Sequence, residues 1–144
     1  MVDFKAAFLA GKKSIIAIVG LYAVYFILSV FVDRYAFRSL VWLEFIVLFP
    51  LLLGYAGYLA AKGKNGSVGK GVLAGTVAGS VAGVLVGILA MLDVVTTPLI
   101  YTKADAFIGW QPGVVYAIVC ALIMVFIGAI CGAVGGFIGH KKKG

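Results

Sequence analysis

Four apolar runs, each long enough to cross a bilayer, leave this chain few ways to fold. They lie at about 14–32 (SIIAIVGLYAVYFILSVFV), 40–61 (LVWLEFIVLFPLLLGYAGYLAA), 71–92 (GVLAGTVAGSVAGVLVGILAML) and 113–139 (GVVYAIVCALIMVFIGAICGAVGGFIG). A spanning helix needs about 20 mostly apolar residues. Lipid offers the backbone no hydrogen-bond partners, so a span must satisfy its own amides. These runs are apolar on every face and do not alternate as barrel strands do. With 64% hydrophobic and 12% charged residues, the 144-residue chain lies outside the range of soluble domains. The expectation is an all-α, polytopic membrane protein: one domain over 1–144 with four transmembrane helices. The first run follows Lys5, Lys12 and Lys13 as a signal peptide would. It is long enough to span, however, and no small-x-small cleavage site follows it, so it reads as a retained helix.

The third run carries glycine at every fourth position: Gly71, Gly75, Gly79, Gly83 and Gly87. In a water-soluble helix each would cost about 1 kcal/mol relative to alanine. In lipid, small residues four apart make a groove in which a second helix backbone can lie closely. Steps of four turn about 400°, so the groove winds slowly around the helix. The fourth run supplies a matching set, Gly128, Gly132 and Gly136, with Ala129 and Ala133 beside them. Close packing of helices 3 and 4 is expected. The same groove could also serve copies of the chain or a substrate path.

Charge placement sets the orientation. Nine basic residues fall on one side of the four spans: Lys5, Lys12, Lys13, Lys62, Lys64, Lys70, Lys141, Lys142 and Lys143. Three, Arg34, Arg38 and Lys103, fall on the other. The positive-inside rule then places both termini in the cytoplasm, in a cell inner (plasma) membrane. Trp42 and Trp110 sit near the outer boundary, where indoles favour the interface. The net charge of +7 arises from these flanks, so it signals topology and lipid head groups and not nucleic acid. Residues 2–13, with Phe4 and Phe8 one turn apart, suggest a short interfacial helix on the membrane surface. Pro98 is expected to end or kink the third helix, opening a long outer connection from Asp93 to Pro112.

Few side chains could carry chemistry. Glu44 lies about a turn inside the second helix and Asp93 at the outer end of the third. Both lie near the outer face, where Arg34 and Arg38 could reach them. Carboxylates inside a membrane default to functional hypotheses. Two readings stand: interfacial carboxylates with one paired to Arg38, or a proton- or cation-linked site. Pro50 removes the hydrogen bond to the Ile46 carbonyl and bends the second helix, as a static kink or as a hinge. Cys120 and Cys131 lie roughly 16 Å apart by helical rise and form no metal cluster. The one histidine, His140, sits at the lysine-rich edge, away from any mid-membrane haem site. No Ser-His-Asp set, HExxH, CxxC or phosphate loop occurs. Neither enzyme activity, a cofactor nor a metal is expected.

The stretch FRSLVWLEFIVLFPLLLGYAGYLAAKG, the Gly/Ala helix after it and LDVVTTPLIY together resemble a known arrangement. It is the accessory N-terminal membrane region ahead of the permease core in some branched-chain amino acid ABC transporter permeases. The shared pattern covers about residues 38–135: an apolar helix ending in GY-x-AA and basic residues, a small-residue helix, then an L-D start to an outer loop. The resemblance implies a four-helix accessory module; it carries over no transport activity, and no binding residue maps across. Small multidrug exporters, similar in size, keep a glutamate in the first helix, where this chain has no acid between Ser14 and Val32. The leading expectation is therefore a non-catalytic membrane protein in contact with lipid. It would act as an accessory or structural subunit, with other subunits or copies of itself as partners. The alternative is a small transporter or channel using Glu44 and Asp93.

Overall fold

The computed structural model describes residues 3–31, 43–63, 65–101 and 111–142. They are all-helical: α1 Phe4–Phe31, a π-helical turn Glu44–Leu48 leading into α2 Phe49–Lys62, α3 Val68–Tyr101 and α4 Gln111–Lys141. Four helices are long and apolar enough to cross a membrane: Phe4–Leu28, Glu44–Lys62, Val68–Leu92 and Gly113–Lys141.

The helices run up, down, up and down, so the residue 3 end, the 63–67 turn and the α4 C-terminus share one end of the bundle. That end carries the lysines. α2 and α3 touch each other, and each also touches both α1 and α4; α1 and α4 share no contact among the described residues. The cross-section is therefore a rhombus with α2 and α3 on its short diagonal. That contact closes the bundle axis.

α3 divides its circumference between two kinds of neighbour. Ala74, Ala78, Ala82, Val86 and Ala90 form one stripe, each at most 1% exposed. Each directly precedes a glycine or follows the ladder, so the stripe stands about 100° around the helix from the glycines. It joins the core built from Ile15, Ile18 and Tyr22 of α1, Phe49, Leu53 and Ala56 of α2, and Met124 of α4. Large side chains from α1 and α2 thus meet single methyl groups on α3. This volume matching lets an apolar interior reach close packing.

Two local expectations differ from the structure, and a third takes a definite form. Residues 4–13 are not a separate surface helix: α1 runs unbroken from Phe4 to Phe31. Ala7, Gly11, Ser14, Ile15, Ile18 and Tyr22 are all buried and recur at helical spacing. One continuous stripe therefore carries the N-terminal turns onto α3, where a Cβ on Gly11 would stand 2.9 Å from Cβ of Ala78. Pro98 does not end the third helix, which continues to Tyr101. A proline removes one i→i−4 bond, and the neighbouring bonds carry the helix past it. The expected outer connection shortens accordingly, because α4 begins at Gln111. Finally, the disturbance at Pro50 is a widened turn. The Phe49 N–H donates to the Glu44 carbonyl, a five-residue step characteristic of a π-helix. In a regular α-turn the Pro50 ring would press on the carbonyl of Ile46. A wider turn relieves that clash.

Candidate functional site

The sequence singled out two regions, the glycine seam and the carboxylates at the far end; the structure adds a third at the lysine-rich end. Along the seam, α3 and α4 approach backbone to backbone. A Cβ on Gly75 would stand 2.6 Å from Cα of Gly132, one on Gly83 3.0 Å from Cα of Ala121, and one on Gly87 2.8 Å from the Ala117 carbonyl oxygen. From the other side, a Cβ on Gly136 would stand 3.0 Å from Cα of Gly71, and one on Gly132 2.7 Å from the Gly71 carbonyl oxygen. Cβ positions on Gly79 and Gly128 would meet the carbonyls of Met124 and Gly75. Real Cβ atoms essentially never come closer than 3.0 Å. At such range glycine Cα–H groups reach the facing carbonyl oxygens, contacts worth about 0.5–1 kcal/mol each.

A second seam, between α2 and α4, was not read from the sequence. A Cβ on Gly57 would stand 2.7 Å from Cα of Gly132, and one on Gly139 2.6 Å from the Tyr58 carbonyl oxygen; a Cβ on Gly135 would meet the carbonyl of Gly54. α4 is held on two sides by its own glycines, with Gly132 in both seams. The hydroxyls of Thr76 and Ser80 bond within α3 and not across the seam. Thr76 Oγ1 donates to the Val72 carbonyl at 2.9 Å and Ser80 Oγ to the Thr76 carbonyl at 2.8 Å, both within the helix. Ser14 Oγ is buried with no hydrogen-bond partner among the described residues.

At the end away from the lysines, Glu44 opens the π turn. Its Oε2 is enclosed and has no hydrogen-bond partner among the described residues. Beside it, the rings of Tyr22 and Phe45 meet edge-on at 6.1 Å, Phe45 and Phe49 lie 4.9 Å apart, and Tyr22 and Tyr25 5.6 Å apart. Arg34, Arg38, Trp42, Lys103 and Trp110 lie outside the described residues, as does the side chain of Asp93, so the expected pairing of Arg38 with Glu44 does too. No group of three or more His, Cys, Asp or Glu side chains able to hold a metal occurs among the described residues.

At the lysine-rich end a notch of about 650 Å³ opens between the start of α1, the end of α2 and the start of α3. Asp3, Asn65, Ser67 and Lys70 line it together with Ala6, Ala60, Val72 and Leu73. Asp3 and Ser67 each begin a helix. Asp3 Oδ1 accepts from the Ala6 N–H at 3.0 Å, and Ser67 Oγ from the Lys70 N–H at 3.3 Å. Lys70 Nζ donates to the Asn65 carbonyl at 2.8 Å, which holds the ammonium over the turn. Asn65-Gly66 is a turn signal in the sequence, but no motif places Asp3, near the N-terminus, across from it. A shallower apolar groove of about 420 Å³ runs between α2 and α4 past Pro50, Tyr55, Tyr58 and Cys131. Near its lower end Lys62 Nζ sits 5.5 Å from the Tyr58 ring centre.

No protein-family model, curated protein or solved structure gives a significant match to this chain.

Proposed function

We propose that this chain is a non-catalytic, multi-pass protein of the cell inner membrane, with both termini cytoplasmic, that works by association through its outer surface. The carrying observation is the closed rhombus. α2 and α3 touch across the short diagonal, and their neighbours are drawn in at backbone range along the glycine seams. The small residues that could form a path or a ring between copies face inward. What faces outward is large and apolar, above all on α4: Val115, Ile118, Leu122, Phe126, Ile130 and Phe137 are 54–70% exposed. A body of this kind suits an accessory or structural subunit seated against another membrane protein, or a homo-oligomer. The resemblance to an accessory region of amino acid permeases points the same way. The test is purification from native membranes at low detergent, followed by mass measurement of the intact particle. A discrete complex or a defined oligomer is expected; a lone monomer at every detergent level would overturn the proposal.

One observation favours a second reading, a small transporter or channel. Glu44 places an enclosed carboxylate oxygen on a π-helical turn, and such turns are frequent at functional sites. Proton or cation flux into liposomes should then disappear in Glu44→Gln and Asp93→Asn. Flux unchanged in both variants rejects those residues as the site.

A further inference from the structure

The notch at the lysine-rich end sorts its groups in the order found along a phospholipid. Its polar members, Asn65, Ser67 and Lys70, belong to the turn and the first residues of α3, and Asp3 faces them from the start of α1. The apolar members, Ala6, Ala60, Val72 and Leu73, continue the walls toward the middle of the bundle. From Lys70 to Thr76, where the lining ends, α3 rises about 9 Å. That depth holds a head group, a glycerol and the first methylenes, and the volume of about 650 Å³ lies within the range of small-molecule sites.

Opposite charges line the opening. Lys70 has donors left after its bond to Asn65, since an ammonium carries three. Ser67, Gly69 and Lys70 line the notch where α3 begins, and a helix N-terminus is a favourable place for phosphate. Asp3 uses one oxygen on its own helix and keeps the second. A cation and an anion on facing helices complement a zwitterion better than they complement an anion alone.

We propose that this notch binds a zwitterionic aminoalkyl phospholipid. Its phosphate sits on Lys70 and the first turn of α3, its amine on Asp3, and its glycerol and first methylenes on Leu73 and Val72. The proposal rests on the membrane part of the function proposed above and not on the association part. Lipid retained per chain and the number of chains per particle are separate readings of the same mass spectrum, so either can fail alone.

The experiment uses the full chain in mild detergent, supplied in turn with palmitoyl-oleoyl phosphatidylethanolamine, the matching phosphatidylglycerol or dioleoylglycerol. Retained lipid is counted by native mass spectrometry, and inorganic phosphate is tested for thermal protection. Phosphatidylethanolamine is expected to remain bound in the wild type. Lys70→Gln should weaken retention about tenfold, the loss of one charge-assisted hydrogen bond. Leu73→Trp should abolish it by filling the notch. Asp3→Asn should lower retention of phosphatidylethanolamine and leave phosphatidylglycerol unchanged, while Lys142→Gln, outside the notch, should stay within about twofold of wild type. Lys70 is exposed, so its variant decides the matter even where Leu73→Trp fails to fold. Equal retention by wild type and Lys70→Gln would overturn the proposal. So would equal retention of dioleoylglycerol, or inorganic phosphate protecting as well as the lipid.

Discussion

At the scale of single residues, the glycines divide by what a methyl group would meet. Gly75 and Gly132 face backbone atoms that cannot rotate away, whereas a Cβ on Gly20 would meet nothing within 4 Å. Gly75→Ala and Gly132→Ala are expected to lower stability by about 1–3 kcal/mol each, the usual cost of overpacking. Gly20→Ala should change it by less than about 0.5 kcal/mol. Unfolding in mixed micelles, followed by circular dichroism, measures all three. The period-four ladder was legible because small residues at one spacing are a pattern in the sequence itself. The second seam was not. Gly54 and Gly57 lie outside the period-four ladder, and the glycines that face them, Gly135 for Gly54 and Gly132 for Gly57, are identified only by the fold. The notch was hidden for the same reason, since Asp3 and Lys70 are joined by topology and by no motif.

At the scale of elements, the four helices were legible to within a few residues at most ends, because lipid leaves helix as the only choice for such runs. Their interruptions were harder to place. Phe4 and Phe8 suggested a separate surface helix over 2–13, which the buried stripe from Ala7 to Tyr22 overrides. Deleting residues 1–10 should therefore destabilise the bundle by about 1–3 kcal/mol through lost packing on α3; a detached surface helix would leave unfolding unchanged. Pro50 likewise signalled a bend but not its form. Pro50→Ala removes the steric reason for the π turn and should let it tighten to an α-turn, rotating Phe45 relative to α2. The ring contact of Tyr22 with Phe45 would then be lost. Spin labels at Val24 and Val47, both exposed, should report a changed separation in that variant and an unchanged one in Leu51→Ala.

At the scale of the whole molecule, the sequence offered a pairing only for the two glycine-rich helices, and the rest of the arrangement could not be read in advance. Runs that are apolar all round carry no sidedness, so nothing in the sequence said that α1 and α4 would stand apart while α2 and α3 meet. That arrangement closes the axis and turns the large side chains of α4 outward. It also makes the account testable on intact membranes. A photoreactive amino acid placed singly at Phe126, Ile130 and Phe137 probes the outward face, and one at Gly20 probes an open position on α1. Association through α4 predicts crosslinks from its face to one discrete protein species, either a second copy or a fixed partner, with little or none from Gly20. Adducts to lipid alone at every α4 position would contradict it.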